Sequence, residues 1–279
     1  MKSWAYGELL RNLVGRDLKL RYRNTGLGFL WSFVQPLTMF FVYYTVFGLL
    51  LTDRFGMSDY PLLLIVGLFA FNFFSSGVTK AVPSVVQAGP LLRQVSFPRF
   101  VLPLATVTAE SIHFLAMLFI LLVASLLHWL PLRGELPMGL VPLLALPVVF
   151  LAHFSFTLGL GLLLSTFNVF ARDTEQLANT IITIWFFATP VFYPPPELEK
   201  FQSLMASMAV LPEGSAGWFH RLYYLNPMAH IIKSYRDILL DHSWPEIAPL
   251  SMGLGLGLGM LFVGQWVFRR NAHRFAEEI

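Results

Sequence analysis

Charged side chains are missing over long stretches of this chain, and that feature restricts its fold more than any other. Six runs are long enough to cross a bilayer: residues 24–52, 60–79, 100–132 with Glu110 as the one interruption, 136–171, 176–196 and 247–268. A charge at the centre of a membrane helix costs about 2.5–3.5 kcal/mol on insertion scales, and about 20 helical residues cover a hydrocarbon layer of roughly 30 Å. The runs lack the two-residue alternation of barrel strands, so helices are expected. Pro137, Pro142 and Pro147 predict a bend at the start of the fourth run. The expected fold is all-α: a polytopic membrane protein with six spans in one integral domain, residues 1–279. Composition agrees, with 56% hydrophobic and 13% charged residues and a mean hydropathy of +0.64, far from soluble domains. There is no cysteine, which removes disulfides, thiolate metal sites and thiol nucleophiles from the inventory.

Basic residues then orient the helices. With the N-terminus inside, thirteen of the 19 Lys and Arg residues fall on the inner side, so both termini are expected in the cytoplasm. Residues 1–28 read as a cytoplasmic interface helix, not as a signal peptide, because Arg11, Arg16, Lys19, Arg21 and Arg23 interrupt any apolar core. Tyr6, Leu9, Leu10, Leu13, Val14 and Leu18 form one helical stripe, expected to sink to the acyl boundary. The cations either anchor this helix or, at Lys19, Arg21 and Arg23, receive a phosphate-bearing lipid headgroup; the forked donors of Arg suit phosphate.

Between the second and third runs, Pro90 and Pro98 bracket a short, partly apolar knob. It is either an ordinary interfacial loop or a docking peg, with Leu91, Leu92 and Phe97 as anchors and Arg93 and Arg99 as rim contacts. Spans 1–5 occupy residues 29–193. Residues 194–246 form a long outer segment with two apolar stretches, 201–212 and 222–232, too short to cross; re-entrant helices forming an outer gate are expected. Span 6, residues 247–268, contains GLGLGLG, whose two i, i+4 glycine pairs predict close helix packing, and residues 269–279 form a cytoplasmic tail. Phe33, Phe40, Tyr44 and Phe47, with Trp185, Phe192 and Tyr193, recur at near-helical spacing. They either pack in the core and against lipid or line a path for a sugar chain. Glu110 and His113 share a helix face, as a satisfied polar pair or a gating element.

Missing motifs exclude activities. None of the five lysines follows a glycine, so these residues hold no phosphate-binding G-x-x-x-x-G-K-[ST] loop, and neither H-E-x-x-H nor G-x-S-x-G occurs. No catalytic residue, metal site or bound cofactor is expected.

The ordered set RDLKLRYRNTGLGFLW with the following VQP, LLRQVSFPRFVLP, FNVFARDTEQ, ATPVFY, and NPM with Arg236 downstream resembles the permease subunit of type-2 ABC exporters of polysaccharide, such as O-antigen. The resemblance covers essentially the whole chain; the apolar stretch around residues 202–218 is longer than the family pattern. It implies a bacterial inner-membrane homodimer with two cytoplasmic ATPase subunits that carry ATP and Mg. These would dock on Leu91, Leu92, Arg93, Phe97, Pro98 and Arg99. The implied cargo is an undecaprenyl-pyrophosphate-linked glycan, and no nucleic acid is involved. A capsule or teichoic acid permease of the same family, a stand-alone carrier and a membrane glycosyltransferase are the alternatives.

Overall fold

The computed structural model describes residues 3–22, 30–48, 60–90, 97–133, 138–192 and 225–278, and every regular element among them is helical. In chain order these are α1 (Ser3–Tyr22), α2 (Trp31–Tyr43) with a π turn at Tyr44–Gly48, α3 (Tyr60–Gln87) and α4 (Val101–Arg133). A 3-10 segment, Met138–Ala145, leads into α5 (Leu146–Phe170), followed by α6 (Asp173–Ala188), α7 (Pro227–Leu239) and α8 (Ile247–Asn271). A 3-10 turn, Ala272–Arg274, then enters α9 (Phe275–Glu278).

Four helical stretches are long and apolar enough to cross a membrane: Tyr60–Gln87, Val101–Leu126, Val141–Phe170 and Ile247–Arg274. The protein is therefore a multi-pass membrane protein. The four correspond to the second, third, fourth and sixth charge-free runs. The first and fifth runs are represented by α2 and α6, of 13 and 16 residues. Residues 23–29, 49–59, 91–96 and 193–224 lie outside the described residues, and with them the ends of those two runs, the centre of the proline-bracketed knob and most of the outer segment.

Two local departures have physical causes. The second run ends at Thr79 by charge, yet α3 continues to Gln87. Its Lys80 Nζ donates to Glu110 Oε1 of α4 at 2.5 Å, and a cation with that partner does not end an apolar helix. At the expected proline bend, Pro142 lies within the 3-10 segment, while Pro147 sits in the first turn of α5, where its missing N–H has no partner to lose.

α3 is the centre of the bundle. Its Phe73 and Phe74 are buried against Phe114 of α4 and Phe156 of α5, with ring centroids 5.0 and 5.4 Å apart. α5 and α8 meet along a seam of small residues: a Cβ on Gly257 would stand 2.5 Å from the Ala152 carbonyl oxygen, and one on Gly264 would overlap the carbonyl of Gly159. Such contact needs glycine, and it supplies packing where lipid is as apolar as the side chains. Of the two predicted glycine pairs, Gly253 and Gly257 face neighbouring helices, whereas Gly255 and Gly259 meet nothing within 4 Å.

From Leu9 to Leu18 α1 keeps its predicted stripe, the side chain of Tyr6 lying outside the described residues, but a different surface covers it. Leu13 and Val14 are buried against Ala88 and against Leu102, Ala105 and Ala109 at the start of α4, with Leu9, Leu10 and Leu18 around them. Arg11, Arg16 and Lys19 remain exposed. The helix is docked on protein through its apolar face, not held by acyl chains alone.

Candidate functional site: a polar cleft among α2, α3 and α6

The C-terminal end of α6 is fixed first. Asn226 caps α7 by accepting the Met228 N–H at 3.1 Å, accepts the Trp185 indole N–H at 3.0 Å, and donates to Thr189 Oγ1 at 2.9 Å. One turn before the end of α7, Arg236 spreads its guanidinium over three carbonyls: Pro190 at 2.9 Å, Val191 at 2.7 Å and Leu63 of α3 at 3.2 Å. Gly67 leaves room for this, since a Cβ there would lie 2.9 Å from Arg236 Nη2 and 2.8 Å from the Val191 oxygen. ATPVFY and NPM with Arg236, far apart in sequence, are two halves of one joint. On the same helix Lys233 reaches Asp237 at 3.2 Å and Glu246 at 2.8 Å. Burial pulls the ammonium down, but the two carboxylates outweigh it and hold Lys233 above the ordinary lysine value.

Below the joint lies a cleft of about 330 Å³. α3 contributes Phe71, Asn72, Ser75 and Thr79, three of them neutral hydrogen-bonding groups at helical spacing. α6 contributes Asn179, Thr183 and Phe186, and α2 contributes Met39 and Tyr43. Among the described residues, the cleft lining carries no charged side chain. α6 buries only Ala178 and Ile182, and Gln176, Asn179, Thr180 and Thr183 lie on its exposed surface. Amides and hydroxyls beside aromatic rings suit a neutral polyhydroxylated ligand, because each offers a modest hydrogen bond of about 1 kcal/mol that another hydroxyl can replace.

Of the expected path residues whose side chains are described, Phe40, Tyr44, Trp185 and Phe192, none lines this cleft. Phe40 stacks on Tyr44 with centroids 5.7 Å apart, and both pack against the core cluster. Trp185 is a core residue: besides its bond to Asn226 it meets Phe74 and Phe156 edge-on at 5.3 and 5.8 Å. Phe192 is buried behind the cleft, 5.2 Å from Tyr43 and 5.0 Å from Phe186. The side chains of Phe33 and Phe47, and Tyr193 entirely, lie outside the described residues. Sequence reasoning missed Tyr43, Asn72, Ser75, Thr79, Asn179 and Thr183. A scan for charges passes over neutral polar residues, although their i, i+3, i+4 and i+7 recurrence within apolar runs was a usable signal. It also missed His153, fully buried between Phe73 and Phe114 at 4.7 and 5.4 Å.

On the opposite face, Phe97 is half-buried and packs on the α1–α4 cluster, and the Arg99 guanidinium stands 5.9 Å from the Phe275 ring. Phe275 is fully buried against Phe268 and Phe170, at 5.1 and 6.2 Å. The last residues of the knob are thus tied to the C-terminal segment and to the end of α5. Leu91, Leu92 and Arg93 lie outside the described residues, as do Arg23 and the side chain of Arg21; Lys19 is exposed on α1.

The sequence profile of the ABC-2 type transporter family matches residues 8–240. The chain belongs to that family. Among curated proteins, this ABC-2 transporter chain is 32% identical to the O-antigen export system permease protein RfbA of Myxococcus xanthus, over 99% of the chain and 97% of that protein. It is 29% identical to RfbA of Klebsiella pneumoniae, over 97% and 94% respectively. It is 23% identical to the capsule polysaccharide export inner-membrane protein CtrC of Neisseria meningitidis serogroup B, over 80% and 86%. As an ABC-2 transporter the chain is a membrane component of a transport system, and the motifs noted in its sequence fall mostly inside the matched region.

Proposed function

We propose that this chain is the transmembrane subunit of an ATP-driven exporter that moves a lipid-linked polysaccharide of O-antigen type across a bacterial inner membrane. The observation that carries the reading is the neutral polar surface on α6 and α3. Gln176 and Asn179 expose amides on an apolar protein, beside Thr180 and Thr183, whose hydroxyls donate to the Gln176 and Asn179 carbonyls; the amides are better placed in a water-lined cavity or against a second polypeptide than against lipid. A second copy facing this surface would enclose a path walled by hydroxyls, amides and aromatic rings. The near full-length similarity to O-antigen permeases, closer than that to the capsule protein, supports the cargo.

In this reading the chain has six spans with both termini cytoplasmic and works as a homodimer with two ATPase subunits that bind ATP and Mg. The motors press on residues 91–99. That thrust is relayed through Arg99 and Phe275 to the inner end of α5 and on to α6, whose outer end is held by the Arg236 joint. Lys19, Arg21 and Arg23 attract the pyrophosphate of the lipid carrier before the glycan enters the cleft.

The chain has no cysteine, so single-cysteine variants report accessibility without background. Asn179→Cys and Thr183→Cys should react with a membrane-impermeant maleimide, at a rate that changes on ATP addition only with the partner ATPase present. Phe262→Cys, on the lipid-facing surface of α8, should not react. A Thr183 variant as inert as the Phe262 control, or transport of lipid-linked glycan by the purified chain without any ATPase, would overturn the proposal.

A further inference from the structure

Where α1 lies against α3 and α4, a second cavity of about 480 Å³ opens between them, within the size range of small-ligand sites. Arg16 and Asp17 of α1 form one side, and Lys80 of α3 with Glu110 of α4 forms the other. Ser84, Gln87, Thr106 and His113 add further hydrogen-bonding groups, and Leu13, Ala105 and Ala109 contribute apolar walls. Lys80 stands seven residues before the end of α3, about 10 Å along the helix axis. The cavity therefore sits where the bundle passes from apolar to polar surroundings, beneath a helix that is itself half apolar.

The charges decide what fits. Arg16 pairs with Asp17 at 3.1 Å and Lys80 with Glu110 at 2.5 Å, so the lining is electrically neutral while offering both signs. An anionic headgroup would meet a carboxylate for every cation it found. We propose that this cavity binds the phosphoethanolamine headgroup of a zwitterionic membrane lipid. Its phosphate takes the N–H donors that Arg16 and Lys80, 54% and 44% exposed, keep beyond their carboxylate partners. Its ammonium meets the carboxylates, of which Glu110, 7% exposed, is the fixed point. A primary ammonium donates three hydrogen bonds, whereas the trimethylated choline group donates none, so the site distinguishes the two. The bound lipid bridges α1 to the α3–α4 pair and helps fix how the interface helix sits on the bundle. This assignment does not depend on the identity of the exported cargo.

The test uses the purified full-length protein, delipidated in detergent and offered phosphatidylethanolamine, phosphatidylglycerol or phosphatidylcholine of matched acyl chains, with retained lipid counted by native mass spectrometry. The ethanolamine lipid should be retained at least tenfold more tightly than either of the others. Ser84→Trp, which fills the cavity without removing a charge, should abolish that retention, and Glu110→Gln should weaken it and narrow the preference over phosphatidylcholine. Equal retention of the three lipids, preference for phosphatidylglycerol, or undiminished ethanolamine-lipid binding by a folded Ser84→Trp variant would overturn the assignment. The comparison among lipids on the unaltered protein decides the matter even if a variant fails to fold.

Discussion

Arg236 offers the sharpest test of how the C-terminal end of α6 is held. Its guanidinium bonds to the carbonyls of Pro190, Val191 and Leu63, and the residue is only 6% exposed. Leu63 lies inside α3, so its carbonyl keeps a helical N–H when the arginine is removed; those of Pro190 and Val191 sit beyond the end of α6 and lose this charged donor. A buried acceptor left without a partner costs about 1–3 kcal/mol, so Arg236→Met should destabilise the protein by about 2–6 kcal/mol. Arg236→Lys, which keeps the charge but not the fork, should lose about half as much. Thermal unfolding in detergent, followed by tryptophan fluorescence, gives the stability. Hydrogen exchange should show faster exchange at the joint, residues 188–192, in the Met variant. Arg270→Met is the control, because Arg270 only stands over the Trp266 ring at 5.5 Å, an exposed contact of about 0.5–1 kcal/mol. If the Arg236 variant unfolds like the Arg270 control and exchange at residues 188–192 is unchanged, the joint does not hold the helix.

Gly257→Ala should destabilise by about 1–3 kcal/mol, because its Cβ meets the Ala152 carbonyl at 2.5 Å; Gly259→Ala, facing open space, should be neutral or stabilising by up to about 1 kcal/mol. The opposite signs are read from unfolding midpoints in micelles. Phe275→Ala should cost about 3–5 kcal/mol by emptying a fully buried site, while Phe275→Leu should cost less than about 1.5 kcal/mol, in the same assay. Lys233→Met should cost about 1 kcal/mol at pH 8. Since folding raises this ammonium above the ordinary value of 10.5, its contribution is complete below that pH and fades as pH climbs through the raised value. Parallel pH titrations of stability for the two proteins check the window.

The helical architecture was legible in the sequence because one term dominates it. Charge is so unfavourable in hydrocarbon that gaps between charges mark helices directly, and four of the expected runs appear as long apolar helices. The method failed where a charge finds a partner, as at Lys80, since pairing across helices leaves no local trace in the chain. It also missed the cleft, for a related reason. Asn72, Ser75, Thr79, Asn179 and Thr183 are neutral and scattered through apolar text, and only the packing of α3 against α6 brings them together. Trp185 shows the same limit: its ring reads in sequence as either a sugar platform or a packing residue, and only the fold places its N–H on Asn226, 41 positions away. NPM and ATPVFY were recognisable as separate signatures, but their joint action through Arg236 is a property of the tertiary fold.

Charge and neutral polarity have separate places in this molecule, and the separation bears on transport. The ion pair Lys80–Glu110 links α3 to α4, and Lys233 joins α7 to the approach of α8 through Glu246; both hold helices together away from the cleft. Among the described residues the cleft is lined by neutral groups. Under the proposed function the cleft is part of a conduit, and a polymer must bind it well enough to enter and weakly enough to leave, as an ion must in a channel. Charged donors, with hydrogen bonds worth about 1.5–3 kcal/mol, would trap a hydroxyl-rich chain over several contacts, whereas neutral ones at about 1 kcal/mol are exchanged as it slides. The walls follow the same division. α3 turns Phe73, Phe74 and Val78 into the packed core and Asn72, Ser75 and Thr79 into the cleft. α6 buries two residues along its length and is anchored at its C-terminal end. The less buried wall therefore has less packing to break when the cleft widens, and under the proposed function its inner end, nearest the coupling region, is the part that moves first.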